Sequence, residues 1–306
     1  MPLNAAAPFN GIYVPVITPY QADGAIDYPA LAAVLEFLVE SGVHGIVCGG
    51  TTGEYYAQTL EARIALARFT RRQLAGRLPL TVGVGAVRQA DSLAMAHCAR
   101  EIGADAILVG SPPYALPTEH ENALNVLAID REAGLPIMLY NYPGRMGVSM
   151  GDAFLNHVSQ SPNVCAIKES SGDPDRLCWL AQHPAIALGC GMDDQALEFF
   201  AWGARFWVCA GANFLPREHI ALYRACVIAG DFNTGRRIMS AMLPLMWRLE
   251  QGGQFIQTIK HGVTLAGLSS GPPRPPLQAL NPQDQQALAQ IVATLKTAVA
   301  DINNPN

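Results

Sequence analysis

The chain has 306 residues, half of them hydrophobic and only 15% charged, with a net charge of −5 and no basic clustering. That balance argues against a nucleic-acid partner, and no apolar run approaches the roughly 20 residues of a membrane span. It leaves enough apolar residues for one large core, and α/β barrels take this length as a single unit.

Met1-Pro2-Leu3-Asn4 and the alanines after it carry neither a basic nor a properly apolar leader region, so no signal peptide is expected. The cysteines (Cys48, Cys98, Cys165, Cys178, Cys190, Cys209 and Cys226) are odd in number and contain no Cys-x-x-Cys. They read as reduced, buried small residues of a cytoplasmic protein. No metal-spaced cluster of the His-Glu-x-x-His kind occurs, and no metal site is expected.

Short β-branched runs alternate with amphipathic segments as far as about residue 230. The spacing predicts strands over Gly11–Thr18, Gly45–Cys48, Leu80–Val84, Ala106–Gly110, Ile137–Tyr140, Val164–Lys168, Ala185–Leu188 and Phe206–Cys209. Between them, helices are predicted over Tyr28–Glu40, Thr59–Ala75, Asp91–Ile102, Glu119–Glu132, Asp152–Val158, Pro174–His183 and Asp194–Trp202. Eight buried strands, each followed by a helix, point to an α/β chain closed as a (β/α)8 barrel, the TIM-barrel fold, over residues 1–230. An open doubly wound sheet is the alternative. It is disfavoured because no Gly-x-Gly-x-x-Gly follows the first strand. Beyond Arg217–Ala229 the pattern is all-helical, with Asn233–Gln251, Phe255–Leu268 and Gln283–Asp301. Residues 231–306 therefore form a C-terminal helical extension packed on the barrel, with a frayed tail from Asn303.

In a barrel the carboxyl ends of the strands face the active site. Lys168 ends the sixth predicted strand in a chain with only three lysines (Lys168, Lys260, Lys296) against seventeen arginines. Desolvation there frees neutral amine to attack a carbonyl; a plainer reading has Lys168 reaching solvent or pairing with Glu169. The second strand ends in Gly49-Gly50-Thr51-Thr52-Gly53-Glu54, where backbone N–H groups and two hydroxyls suit a carboxylate, although a simple glycine turn before a helix has the same composition. The fourth strand ends at Ser111-Pro112-Pro113-Tyr114, and the fifth at Tyr140, followed by Arg145. Two phenols, a threonine pair, a guanidinium and a lysine on one face describe a Schiff-base site for a small 2-oxo acid. Such chemistry needs no metal or organic cofactor.

Gly50-Thr51-Thr52-Gly53-Glu54, Tyr140-Asn-Tyr-Pro-Gly-Arg145 and Ile167-Lys168-Glu169 resemble the motifs of the dihydrodipicolinate synthase/N-acetylneuraminate lyase family. The likeness runs from Gly11 to Leu277 and includes Ile259-Lys260 and Arg274-Pro-Pro-Leu277. The resemblance implies that Lys168 forms the imine and that Tyr140 transfers protons, linked through Thr51 to Tyr114 of a neighbouring subunit. It implies further that Thr51 and Thr52 bind the substrate carboxylate beside Gly50, that Arg145 binds a second substrate, and that Gly191 and Val208 line the pocket floor. A homotetramer built as a dimer of dimers follows from the same likeness.

The chain departs from the lysine-biosynthesis enzymes of that family at Tyr55-Tyr56, at Gly83-Val-Gly-Ala-Val87 and at Pro113-Tyr114. Those changes count against lysine feedback. Tyr55-Tyr-Ala-Gln58, Tyr140–Met146 and Cys190-Gly-Met-Asp-Asp-Gln195 are similar to a subgroup of hydroxyproline breakdown. The specific expectation is thus a 1-pyrroline-4-hydroxy-2-carboxylate deaminase. The alternatives are a 4-hydroxy-tetrahydrodipicolinate synthase, a sugar-acid or sialic-acid aldolase, and a non-catalytic barrel that binds oxo acids.

Overall fold

The computed structural model describes residues 9–183 and 185–303; the expectations for the leader region and for the tail beyond Asn303 lie outside them. Eight parallel strands close into a barrel in sequence order, β1 (Gly11–Pro15), β2 (Gly45–Cys48), β3 (Leu80–Gly83), β4 (Ala106–Gly110), β5 (Ile137–Asn141), β6 (Val164–Glu169), β7 (Ala187–Cys190) and β8 (Phe206–Val208). β1 pairs with both β2 and β8, which completes the ring and leaves no open sheet edge.

Side chains alternate along each strand, so the barrel has two cores. The inward set includes Tyr13, Val47, Leu108, Met138, Ala166, Phe206 and Val208, which fill the interior. The outward set, such as Ile12, Ile46, Ile107 and Ile167, packs against the surrounding helices. Helix ends follow local chemistry. Thr118 and Glu121 form a reciprocal capping box at the start of Glu119–Ala133, and Gly134 in the left-handed region ends that helix.

Boundaries differ from the sequence reading where hydrogen bonds change partner. β1 stops at Pro15 because Ile17 N–H donates to the side chain of Asn213 rather than to a strand. β7 lies two residues later than expected, with Ala166 opposite Ala187 and Lys168 opposite Gly189. A Cβ at Gly189 would meet the Phe206 ring at 2.0 Å, so this glycine is what lets β7 pack against the barrel interior at that level. The expected Asp194–Trp202 helix divides into a 3-10 turn, Asp193–Gln195, and a helix, Ala196–Ala201. The expected Arg217–Ala229 helix becomes Pro216–Tyr223 and a π turn, Arg224–Ile228.

The last helices, Phe232–Glu250, Phe255–Leu265 and Pro282–Asn303, pack on one another and on the helices after β7 and β8. Lys260 anchors them to the barrel mouth. Its Nζ lies 2.9 Å from Glu54 Oε1 and donates to the carbonyls of Thr18 and Pro272. His219, wholly buried beside Trp207, donates through Nδ1 to Leu215 O; burial pushes its imidazole down to about 4, so it stays neutral. It is a packing residue and lines no part of the cleft described next.

Candidate active site

The strand register sets the centre of the site. Tyr140 on β5 lies directly opposite Lys168 on β6, and the lysine Nζ sits 4.2 Å from the centroid of the phenol ring. Both point into the barrel. Glu169, the next residue, points the other way. Its carboxylate accepts from Asn141 Nδ2 at 2.9 and 3.0 Å and from Ser171 N at 2.7 Å, with Arg176 Nε 3.7 Å away. This alternation removes the plainer reading of Lys168: it neither pairs with Glu169 nor reaches solvent, being 8% exposed.

Burial lowers the Lys168 pKa, and Arg145 lowers it further against the opposing pull of Asp193 and Glu250. A buried cation with no direct anionic partner gives up its proton more readily than one in water, which is what an attacking amine needs. Tyr140 moves the other way. Burial raises its phenol to about 12, opposed by the Arg145 charge and by a hydrogen bond with the Thr51 side chain. The phenol is therefore protonated at neutral pH and available as a donor.

The turn after β2 supplies the opposite wall. Gly49 (φ 72°) and Glu54 (φ 57°) bracket a 3-10 turn, Thr51–Gly53, in the left-handed region. A Cβ on Gly83 would lie 2.4 Å from Gly49 O, so the ends of β2 and β3 touch backbone to backbone. Arg63 fixes the next level by donating to the carbonyls of Gly83 and Gly85. Thr51, Thr52 and Gly50 then face Lys168 across one cleft, which Tyr140, Arg145, Gly191 and Val208 also line. The fit at Gly191 is tight, since a Cβ there would come within 2.7 Å of Lys168 Cγ.

One expected site residue is not brought in. Tyr114 has φ 71° and is 92% exposed, and it does not line the cleft.

Among the residues that join the cleft without an expected role are Tyr142, Asp193, Glu250 and Phe255. Asp193 is buried and fully engaged, accepting from Trp207 Nε1, Ala210 N and Gly211 N. Glu250, the last residue of the helix Phe232–Glu250, accepts through Oε1 from Asp193 N at 3.1 Å. Phe255 and Tyr142 lie 5.2 Å from the Arg145 guanidinium on their ring faces. A faint sequence signal existed for Glu250. An acid at a helix C-terminus opposes the helix dipole, and such a position is more often basic.

The described residues hold no group of three or more His, Cys, Asp or Glu that could ligate a metal, and no helix among them is long and apolar enough to cross a membrane.

Residues 8–295 match the model of the dihydrodipicolinate synthetase family. The 4-hydroxy-tetrahydrodipicolinate synthase of Kineococcus radiotolerans is 33% identical, the match covering 99% of this chain and 100% of that protein. Among solved structures, the 4-hydroxy-tetrahydrodipicolinate synthase of Methylacidiphilum fumariolicum SolV superposes with a TM-score of 0.89 at 30% identity, over 96% of this chain and 98% of the other. YagE, a prophage protein of E. coli K12 that belongs to the same family and was solved with pyruvate, superposes with a TM-score of 0.88 at 27% identity, over 95% and 99%.

Proposed function

The chain belongs to the dihydrodipicolinate synthetase family of class I Schiff-base lyases, and on that premise we propose that Lys168 forms an imine with a pyruvate-type 2-oxo acid and that the resulting enamine adds to an aldehyde. The observation that carries the reading is the desolvated Lys168 amine set in register beside the protonated Tyr140 phenol at the carboxyl end of the barrel.

Each remaining side chain has a place in that sequence. The Lys168 amine adds to the keto carbon, and Tyr140 supplies the proton that lets the carbinolamine oxygen leave as water. Thr51 and Thr52, with the N–H groups of their turn, hold the carboxylate. Loss of a proton from the methyl carbon then gives the enamine, with the protonated imine as electron sink. Arg145 binds the acidic end of the incoming aldehyde, and Gly191 leaves room beside the lysine stem. The best-supported specific reaction is that of a 4-hydroxy-tetrahydrodipicolinate synthase, the name carried by the relatives. The hydroxy-pyrroline carboxylate deaminase expected from three short stretches has no counterpart among those names. It becomes the second reading, favoured only by the acid Glu250 in the cleft, because elimination needs a proton for its leaving group.

Borohydride reduction in the presence of pyruvate, read by peptide mapping, is expected to place the adduct on Lys168. A parallel reaction with 1-pyrroline-4-hydroxy-2-carboxylate ranks the two readings by trapping efficiency. A folded protein trapped by neither compound would overturn the Schiff-base assignment of Lys168.

The exposed Tyr114 supports an assembly. A phenol 92% exposed on the strand-four loop is free to complete the Thr51–Tyr140 hydrogen-bond chain of a second copy. We propose the tetramer that the family resemblance implies. Sedimentation equilibrium is expected to give four subunits, and a monomer at assay concentration would leave Tyr114 without a catalytic role.

A further inference from the structure

Glu250 stands apart from the residues already used. It comes from the helical extension, not from a strand end, yet it faces the same cleft as Lys168. Its Oε1 is held by the Asp193 N–H, whereas its Oε2 makes no hydrogen bond among the described residues. Asp193 differs, because three N–H donors occupy both of its oxygens.

Two carboxyls that act on each other's charge in a buried cleft do not both stay ionised at little cost. Burial raises the Asp193 carboxyl to about 6, while its three donors and Lys168 hold it down, so of the two the proton rests more on Glu250. Burial first, then the charges of Asp193 and Asp194, raise the Glu250 carboxyl to about 7, while the Asp193 N–H and Lys168 pull it down. The other ionisable groups on the cleft wall are Tyr140, Tyr142 and Arg145. An acid that exchanges its proton near neutrality, on the wall of a site and with an oxygen that makes no hydrogen bond among the described residues, is poised for proton transfer.

Its position says which proton. With the carboxylate of the 2-oxo acid at the turn after β2 and its keto carbon on Lys168 of β6, the methyl carbon is directed away from Thr51. Gly191 and Asp193 follow β7, the strand beside β6, and Glu250 is held to the Asp193 N–H. The aldehyde meets the methyl-derived carbon there.

We infer that Glu250 is the general acid for the second half-reaction, donating its proton to the carbonyl oxygen of the acceptor aldehyde as the C–C bond forms. The enamine carbon bonds to the aldehyde carbon and the C=O π pair moves to oxygen, which takes the Glu250 proton and becomes a hydroxyl. The enamine nitrogen lone pair re-forms the C=N bond to Lys168. Glu250, left as carboxylate, is reprotonated from water. In the cleavage direction it removes that hydroxyl proton. The inference rests on the condensation reading above.

Glu250→Gln keeps the amide oxygen for the Asp193 N–H and nearly the same volume, and removes only the transferable proton. Two reactions separate the steps. Exchange of pyruvate methyl protons in D2O, followed by NMR, reports imine and enamine formation alone; consumption of aspartate semialdehyde or glyceraldehyde with pyruvate reports the second half. In E250Q, exchange is expected to change far less than condensation. Condensation with whichever aldehyde the wild type uses is expected to fall roughly 10²-fold or more, the scale of general acid catalysis. The wild-type kcat profile should also decline as pH rises through the Glu250 range, and that limb should vanish in E250Q. Unchanged condensation, or exchange falling as far as condensation, would overturn the role. So would a wild type that exchanges pyruvate protons yet consumes neither aldehyde. A wild type without exchange would overturn the Schiff-base reading itself.

Discussion

Lys168→Ala is expected to lower turnover by roughly 10⁵-fold or more, the scale seen when a covalent nucleophile is removed, while the barrel stays folded. The loss is large because nothing else can make the covalent intermediate. The other two lysines do not line the cleft, and Lys260 is held by Glu54 and two carbonyls. Stability should move the opposite way. Lys168 is a buried cation with a lowered pKa and no direct salt bridge, its nearest described interaction being the Tyr140 ring, so its charged form costs folding free energy. Removing it relieves that cost. Lys168→Arg should not rescue activity, since a guanidinium stays protonated at any working pH. Steady-state assay beside thermal unfolding checks both halves. Alanine turnover within a hundredfold of wild type would refute the imine, and a midpoint several degrees below wild type would show that Lys168 also holds the barrel together.

The same physics explains which parts of the site could be read from sequence. Parallel strands of a barrel all end on one face, so a polar residue closing an apolar run announces its own location. Lys168, Tyr140 and the Thr51–Thr52 turn were legible for that reason. Arg145 follows β5 by four residues, and its place in the cleft is a short step from the strand. Glu250 and Phe255 obey no such rule. They enter the cleft only because the helix Phe232–Glu250 returns to the barrel mouth, and helical periodicity records which face is apolar, not where the helix end lands. The β7 shift has a similar cause. Ile186 and Leu188 fit a strand of either register, and the choice is made by Phe206 of the neighbouring strand, which demands a glycine opposite. Tyr114 shows the limit of single-chain reading. Its loop was recognisable, but the chain alone leaves its phenol in solvent.

The second large effect lies outside the cleft wall, at a buried ion pair. Lys260→Met is expected to cost about 3–5 kcal/mol of unfolding free energy, the range for leaving one member of such a pair uncompensated. Glu54 is wholly buried, and its Oε1 lies 2.9 Å from Lys260 Nζ, while its Oε2 accepts from Arg274 N at 2.8 Å. Without the lysine, the carboxylate keeps only the second oxygen's partner, and the carbonyls of Thr18 and Pro272 lose a donor. Glu54 also sits at φ 57°, a conformation that a non-glycine residue holds only when its surroundings enforce it. Because Glu54 closes the turn carrying Thr51 and Thr52, the damage should extend to substrate: KM for pyruvate should rise more than kcat falls. The double variant Glu54→Gln/Lys260→Met should recover much of the lost stability, since the uncompensated charge is then gone. Urea unfolding of the two single variants and the double variant measures the coupling. A cost below about 1 kcal/mol for Lys260→Met, the level of an exposed pair, would mean that packing of the Phe255–Leu265 helix alone fixes the turn, and that the ion pair across 206 residues of sequence contributes little to holding the site open for its substrate.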